Sequence, residues 1–328
     1  MKIEINKLLQ SADPSIQYRV QVDILGKDKK SPELHDLQQE IKYSPLVRQL
    51  LSERDVDGKL PHHAYSKWDG AHWVMAALAD LSYPPGDETL IPLREQQLGW
   101  LFSERHQNNF NKRTVDGRVR MHPSQEGNAV YSLIKLGLVD NRIEKLVQRM
   151  LDWQWPDGGW NCDMNPEVKI SSFMESLLPM RALVYYENMS GDPKAKEAYQ
   201  RTAEIFLKRS MYKRQRDGEI MNHNFVALHY PCYWHYDILF GLKVMAEAGL
   251  ILDERCSDAL DLLESKQLPD GGFPAGKKYY QVTDKRVSGR SLVDWGGTSK
   301  KHMNEWVTVD AIYVLKEAGR VQLYTGEG

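Results

Sequence analysis

A short phrase centred on Asp-Gly occurs five times along the chain, and this repetition constrains the fold more than any other feature. In every copy Arg or Gln stands four residues before the glycine. The copies are Asp57-Gly58-Lys59-Leu60, Asp116-Gly117-Arg118-Val119, Asp157-Gly158-Gly159-Trp160, Asp217-Gly218-Glu219-Ile220 and Asp270-Gly271-Gly272-Phe273. Asp-Gly favours a tight turn, because glycine accepts positive φ and aspartate can bond to its own backbone. Five copies in matching contexts predict one supersecondary unit that is stacked on itself.

The segments around these turns predict two kinds of helix. An amphipathic helix precedes each turn, whereas a long polar loop and a more apolar helix follow it, and a helix that is apolar on most sides must be enclosed by others. The predicted outer helices span roughly 33–53, 91–104, 141–154, 194–208 and 254–266. The predicted inner helices span roughly 14–25, 71–83, 125–137, 171–187, 232–248 and 302–318. The pattern predicts an all-α fold, a single (α/α)6 toroid domain over residues 1–328 with alternating inner and outer helices and its long loops on one face.

Composition excludes several classes of function. The net charge of −2 gives no basis for binding nucleic acid, and no stretch approaches the length of a transmembrane segment. The first residues, Met1 to Asn6, lack the apolar core of a signal peptide. The three cysteines, Cys162, Cys232 and Cys256, form no CxxC pair, which predicts a reducing, cytoplasmic location. No motif requires a cofactor, the expected partner is a small-molecule substrate, and the oligomeric state is left open.

Two copies of the repeat resemble a known structural motif. The segment from Gln154 to Trp160 fits the Gln-x-x-x-Gly-x-Trp repeat of squalene and hopene cyclases, and the segment from Gln267 to Phe273 fits it with Phe in place of Trp. The chain therefore resembles the terpenoid cyclase and protein prenyltransferase superfamily, whose fold is an (α/α)6 toroid. In that family the motif ties outer helices to the turn. The resemblance thus implies the fold and a cyclase- or prenyltransferase-like enzyme, but it does not identify the substrate.

The catalytic motifs of that superfamily are absent, so the chain is predicted to be a divergent member. Neither the Asp-x-Asp-Asp motif of the cyclases nor the Asp-Asp-x-x-Asp motif of the metal-dependent synthases occurs. Protein prenyltransferases bind zinc through an Asp-x-Cys pair and a histidine. Cys232 matches that cysteine, but Tyr230 stands at the aspartate position and Val307 lies near the histidine position. A prenyltransferase zinc site is therefore not expected.

Histidines concentrate in the loops and at the starts of the inner helices, which predicts an acid–base site at one mouth of the toroid. Eight of the ten are His62, His63, His72, His122, His223, His229, His235 and His302, whereas His35 and His106 lie elsewhere. Carboxylates at the same mouth can complete acid–base pairs, and they include Asp69, Glu175 and Glu305. The predicted catalytic residues are His229, His235, Asp163, Glu126, Asp237 and Asp294. A turn cap is the alternative role for Asp163, and a satisfied buried side chain is the alternative for each histidine.

Aromatic side chains share this region and leave three functional hypotheses open. The predicted substrate-binding residues are His122, Trp160, His223, Tyr233, Trp234, Trp295, His302 and Trp306. Aromatic faces stabilise carbocations, as a terpenoid cyclase needs, but they also stack on sugars beside the carboxylates of a hydrolase or lyase, or simply pack. The third hypothesis is a non-catalytic binding protein with a filled central cavity. A deep apolar cavity favours the cyclase, and a rim of His, Asp and Arg favours the polar, carbohydrate-like substrate.

Two further expectations concern the loops. His229, Cys232 and His235 are three residues apart and are candidates for a metal site, although no strong metal motif contains them. Residues 267–301 form a basic loop that is long enough to fold over the mouth as a lid, and whether it does so is left open.

Overall fold

A computed structural model describes residues 2–324 of the chain, and these residues are mostly helical. The α-helices are α1 (Asn6–Leu9), α2 (Pro14–Arg19), α3 (Pro32–Lys42), α4 (Pro45–Leu50), α5 (Ala71–Asp80), α6 (Ile91–Leu101), α7 (Glu104–Gln107), α8 (Asn109–Lys112), α9 (Pro123–Lys135), α10 (Arg142–Trp153), α11 (Phe173–Ser190), α12 (Pro193–Leu207), α13 (Ile238–Glu247), α14 (Ser257–Glu264) and α15 (Glu305–Glu317). The strands are β1 (Lys2–Glu4), β2 (Thr114–Val115), β3 (Arg118–Val119), β4 (Gln281–Val282), β5 (Arg290–Ser291) and β6 (Gln322–Tyr324). A π-helical turn, Val20–Ile24, continues α2.

Both sets of predicted helices are present. The inner set corresponds to α2 with its π-helical turn, α5, α9, α11, α13 and α15, and the outer set corresponds to α3 with α4, α6, α10, α12 and α14. Helix α13 was predicted from residue 232, but it begins only at Ile238. The reason is the Asp237 side chain, which accepts a hydrogen bond from the Phe240 amide at 2.8 Å and so caps the helix there. The aromatic residues before it belong to an irregular segment.

The packing follows the order of the chain. Helices α2, α5, α9, α11 and α13 each contact the helix of the predicted outer set that comes next. In addition, α5, α9, α11, α13, α15 and α2 contact one another in that order. The Ser15 hydroxyl of α2 donates to the carbonyl of Leu81, directly after α5, at 2.6 Å. Buried apolar side chains from Ile3 to Leu315 form one connected cluster.

The ends of the described chain meet. Strand β1 pairs in parallel with β6, with Lys2 opposite Gln322 and Glu4 opposite Tyr324. None of the helices in residues 2–324 is both long enough and apolar enough to cross a bilayer.

The five Asp-Gly phrases form the turns that the sequence predicts. Their glycines have φ values of 77°, 68°, 103°, 74° and 84° in chain order. At the third copy the Gln154 side chain donates to the carbonyls of Gly158 at 2.8 Å and Ala198 at 2.9 Å, and the Trp160 indole donates to Met150 at 3.0 Å. The motif therefore joins α10, the turn and α12, which is the structural role expected of it.

Substituting Gly127 by alanine is expected to lower the free energy of unfolding by about 1–3 kcal/mol. A Cβ at this position of α9 would lie 2.7 Å from the Pro179 nitrogen and 2.8 Å from the Leu178 carbonyl carbon of α11. Because both are backbone atoms, the two helices would have to move apart. Urea unfolding followed by circular dichroism measures the loss.

The matched control is Gly99→Ala in α6, where a Cβ meets no described atom within 4 Å outside its own helix. That exposed position should gain up to about 1 kcal/mol, because alanine has the higher helix propensity. Equal effects of the two substitutions would show that close contact between α9 and α11 is not the cause.

Candidate functional site

The segment 227–237, which leads into α13, brings the side chains of two predicted catalytic residues, His229 and Asp237, into contact. Oδ2 of Asp237 accepts a hydrogen bond from the His229 backbone amide at 2.8 Å and lies 2.7 Å from His229 Nδ1. Both side chains are fully buried, and His229 Nε2 has no hydrogen-bond partner within residues 2–324. Asp237 thus caps a helix and orients an imidazole with the same carboxylate.

His235 lies beside this pair in an aromatic stack. Its ring stacks on Tyr279 with a centroid distance of 3.4 Å and on Trp234 at 3.9 Å, and it lies 6.1 Å from the His229 ring. Burial, together with the nearby His229, Lys67 and Lys277, lowers the pKa of His235 to about 3. This imidazole is therefore neutral at physiological pH. Tyr279 belongs to the long loop before α15. This loop therefore contacts the segment 227–237.

The other predicted catalytic carboxylates lie in different surroundings. Glu126 is fully buried, with Oε1 at 3.1 Å from Nε2 of His106 and 3.7 Å from Arg149. His106, which the sequence placed outside the site, is therefore a partner of a predicted site residue. Exposed Asp163 accepts from the Asn165 amide at 2.9 Å, and exposed Asp294 accepts from the Gly296 amide at 3.1 Å. Each of these two carboxylates caps a turn, and for Asp163 this is the alternative role expected from the sequence.

Most of the predicted aromatic binding residues are packed against one another. Tyr233 stacks on Trp68 with centroids 3.7 Å apart, Trp306 stacks on Tyr230 at 5.1 Å, and Trp295 is buried against Tyr230. Trp160 is buried in the repeat motif, whereas His223 and His302 are exposed. The spaces that remain among the aromatic side chains measure only about 10 and 20 Å³.

The metal candidates His229, Cys232 and His235 are not brought together as ligands. The described His, Cys, Asp and Glu residues contain two groups with metal-ligand geometry, and neither includes these three. The Cys232 sulfur instead lies 3.9 Å from the His229 carbonyl oxygen, because the short turn directs the thiol toward its own backbone. Spacing along the chain was a poor guide here, since the segment 227–237 is not helical.

A histidine between two carboxylates lies on the wall of a surface cavity. His62 Nε2 is 2.8 Å from Glu53 and 3.7 Å from Asp69. Arg290, from the long loop, donates to Glu53 at 2.7 and 2.9 Å and to Asp69 at 3.0 Å. The hydrogen bonds from Arg290 and His62 lower the pKa of Glu53 to about 2 although burial opposes this, so Glu53 is ionised at neutral pH.

That cavity measures about 390 Å³ and is polar. It is lined by Pro61, His62, His63, Ser66, Lys67, Asp69, Arg286, Val287 and Ser288. The loop that forms one side of the cavity is tightly packed. A Cβ atom at Gly70 would lie 2.5 Å from the carbonyl oxygens of His63 and Ala64. Sequence analysis named His62, His63 and Asp69 only as members of larger sets. It missed Glu53, which belongs to the predicted outer helix 33–53.

A second group of ligand-type side chains lies where three segments meet. His122 Nδ1 is 2.9 Å from Glu175 Oε1, and one donor atom each from His122, Cys162 and Glu175 lie within 4.8 Å of one another. Burial opposes ionisation of Glu175, but hydrogen bonds from His122, Ser124 and Cys162 outweigh it, and the pKa of Glu175 is lowered.

A separate polar cavity of about 200 Å³ lies at the other ends of the inner helices, where α5, α9 and α13 finish. Arg181, buried in α11, donates to both oxygens of Glu247 at 2.8 Å and to Asp80 at 3.1 Å. Tyr131 also donates to Asp80, at 2.7 Å. This cluster was not predicted from the sequence. The available signal was that each of its residues is a polar residue in a helix that was predicted to be enclosed by other helices.

The sequence matches no profile of a known protein family and no curated protein. The resemblance to terpenoid cyclases therefore depends on the repeat motif alone, and it stays a prediction.

Proposed function

We propose that the paired helices close into an (α/α)6 toroid, with the polar mouth at the amino-terminal ends of its inner helices. The serial contacts of the inner helices support this arrangement. Closure is supported by links from α2 to the helices on both sides of it. The Ser15 hydroxyl donates to Leu81, directly after α5, and Arg19 forms a buried ion pair with Asp310 of α15.

Within this fold, we propose an enzyme that acts by general acid–base catalysis on a small polar substrate, as a hydrolase or a lyase. One observation carries the proposal: His62 is held between Glu53 and Asp69 on the wall of the 390 Å³ cavity. Both carboxylates contact Nε2, so Nδ1 is the ring nitrogen left for a substrate. A histidine oriented by a carboxylate is the arrangement that general bases use.

The roles follow from the contacts. Nδ1 of His62 takes a proton from water or substrate, and the positive charge that develops on the ring is stabilised by ionised Glu53 at Nε2. Arg290 fixes Glu53 and Asp69 in position. Lys67 and Arg286 give the cavity cationic side chains for a carboxylate or phosphate of the substrate.

The aromatic alternative needs a different cavity. An isoprenoid chain requires an apolar chamber, but the spaces among Trp68, Trp73, Tyr230 and Tyr233 measure about 10 and 20 Å³. The larger cavities are lined by charged and polar side chains. This contrast favours a polar substrate over an isoprenoid. The isoprenoid hypothesis stays a prediction, and one assay tests both kinds of substrate.

The test is an untargeted assay of the purified protein with a small-molecule cell extract, to which prenyl diphosphates are added. Mass spectrometry follows consumption and formation of each compound. We expect turnover of a polar compound and a loss of about 100-fold or more in His62→Asn, because acid–base groups contribute on that scale. The matched control is His35→Asn, since His35 is an exposed histidine on α3.

Each other outcome rejects a stated part of the proposal. Unchanged turnover in His62→Asn would remove the assignment of this residue, and loss of turnover in His229→Asn alone would favour the pair His229–Asp237. Turnover of a prenyl diphosphate would restore the cyclase hypothesis. Binding of a compound without turnover would favour the non-catalytic protein.

A further inference from the structure

We propose that His122, Cys162 and Glu175 form a binding site for a divalent transition metal ion, with zinc as the best fit. The three residues come from separate parts of the chain, and one donor atom from each lies within 4.8 Å of the other two. His122 Nδ1 and Glu175 Oε1 are already 2.9 Å apart. This site differs from the group around Cys232 that the sequence suggested.

The donor set selects the kind of metal. A thiolate sulfur, an imidazole nitrogen and a carboxylate oxygen are the ligands that zinc uses, whereas magnesium and calcium require oxygen. Three protein ligands leave the fourth tetrahedral position open for water or substrate, which is the pattern of catalytic rather than structural zinc. The group at Glu53, His62 and Asp69 is less suitable, because Arg290 already occupies both of its carboxylates with hydrogen bonds.

The ligands are held in place by the fold. Glu175 lies in the first turn of α11, and its Oε2 accepts from the Ser124 amide of α9 at 3.3 Å. His122 directly precedes α9. The carbonyl of Cys162 accepts from Arg113 at 3.0 Å, which fixes the loop that carries the thiol. Such surrounding hydrogen bonds orient metal ligands and raise affinity.

The site is open on one side. The His122 side chain is 37% exposed and that of Glu175 is 12% exposed, so an ion has a path from solvent. When the metal binds, the Cys162 thiol loses its proton to solvent and the sulfur coordinates as thiolate.

Cobalt(II) titration of the chelator-treated full chain tests the proposal without an activity assay. We expect one cobalt per chain, a near-ultraviolet thiolate-to-metal charge-transfer band and visible bands of tetrahedral cobalt, all removed by added zinc. Cys162→Ser should lose the charge-transfer band, and His122→Asn and Glu175→Gln should each weaken cobalt binding by at least about 10-fold.

The matched control is Cys232→Ser, which should keep the full signal because Cys232 lies in the other candidate group. Circular dichroism confirms that each variant is folded, and His122→Asn serves as the second test because its side chain is partly exposed. Absence of the charge-transfer band in the unaltered protein, its persistence in Cys162→Ser, or its loss only in Cys232→Ser would overturn the proposal.

Discussion

Replacing Arg181 by methionine is expected to lower the free energy of unfolding by about 3–5 kcal/mol, the range for breaking a buried ion pair. The Arg181 side chain is only 3% exposed, and it donates to both oxygens of Glu247 and to Asp80. Its removal leaves two carboxylates facing the 200 Å³ cavity without their cation, and methionine offers no hydrogen bond in return. Urea unfolding at neutral pH, followed by circular dichroism, measures the loss.

An exposed pair of the same geometry is the control. Arg142 donates to both oxygens of Glu95 at 2.8 and 2.6 Å, but the two side chains are 26% and 43% exposed. Arg142→Met should therefore cost no more than about 1 kcal/mol, because water replaces the lost contacts. Similar losses in the two variants would contradict the argument, since hydrogen-bond geometry alone would then set the cost.

This contrast bears on how the inner helices are held together. Arg181 of α11 links the ends of α5 and α13, and Lys243 of α13 lies 2.7 Å from Asp310 of α15. Buried charges thus connect neighbouring helices of this set. We expect these pairs to specify which helices meet at this end, because a misplaced helix would leave a charge buried and unpaired.

The parts of the fold that depend on local chemistry could be predicted from the sequence. A glycine with positive φ and helical periodicity act within a few residues, so the turns and most of the helical segments were correct, whereas the inner and outer placement of the helices stays a prediction. The start of α13 was not correct, because the run from Cys232 to Tyr236 is compatible with a helix and only the cap at Asp237 ends the irregular segment.

The candidate sites depend on contacts between residues that are far apart in the chain, and the sequence alone does not show which of them meet. Glu53 and Arg290 are 237 residues apart in the chain, yet Arg290 fixes the carboxylate that orients His62. His122 and Glu175 were both candidates, but nothing in their spacing joins them to Cys162. Glu126 was selected for its place at a helix start, although its face of α9 is turned toward His106. Element positions were therefore predictable, whereas the pairing of side chains across elements was not.

Acidification from pH 7 to pH 5 is expected to lower the free energy of unfolding by about 4 kcal/mol, through two buried neutral histidines. Burial lowers the pKa of His72 to about 3, and burial together with His229 lowers that of His235 to about 3. The carboxamides of Gln97 and Asn128 contact the two ring nitrogens of His72, and no acid pairs with it among the described residues.

The direction of this change in the free energy of unfolding follows from proton binding in the folded and unfolded states. Below its ordinary pKa of about 6.5 each histidine is protonated in the unfolded chain but stays neutral in the folded one. The unfolded state then binds more protons, so stability is complete above pH 6.5 and is lost as the pH falls toward 3. The buried carboxylate of Asp310 contributes only at lower pH, because hydrogen bonds and ion pairs with Lys243 and Arg19 lower its pKa to about 2 despite burial.

The measurement is a set of urea unfolding curves between pH 7 and pH 5, compared with those of His235→Phe. Phenylalanine can retain the stacking between Trp234 and Tyr279 but cannot bind a proton, so the loss between these pH values should fall by about half. An unchanged pH dependence in this variant would show that His235 is already accessible to protons in the folded state. The aromatic stack would then be open to solvent.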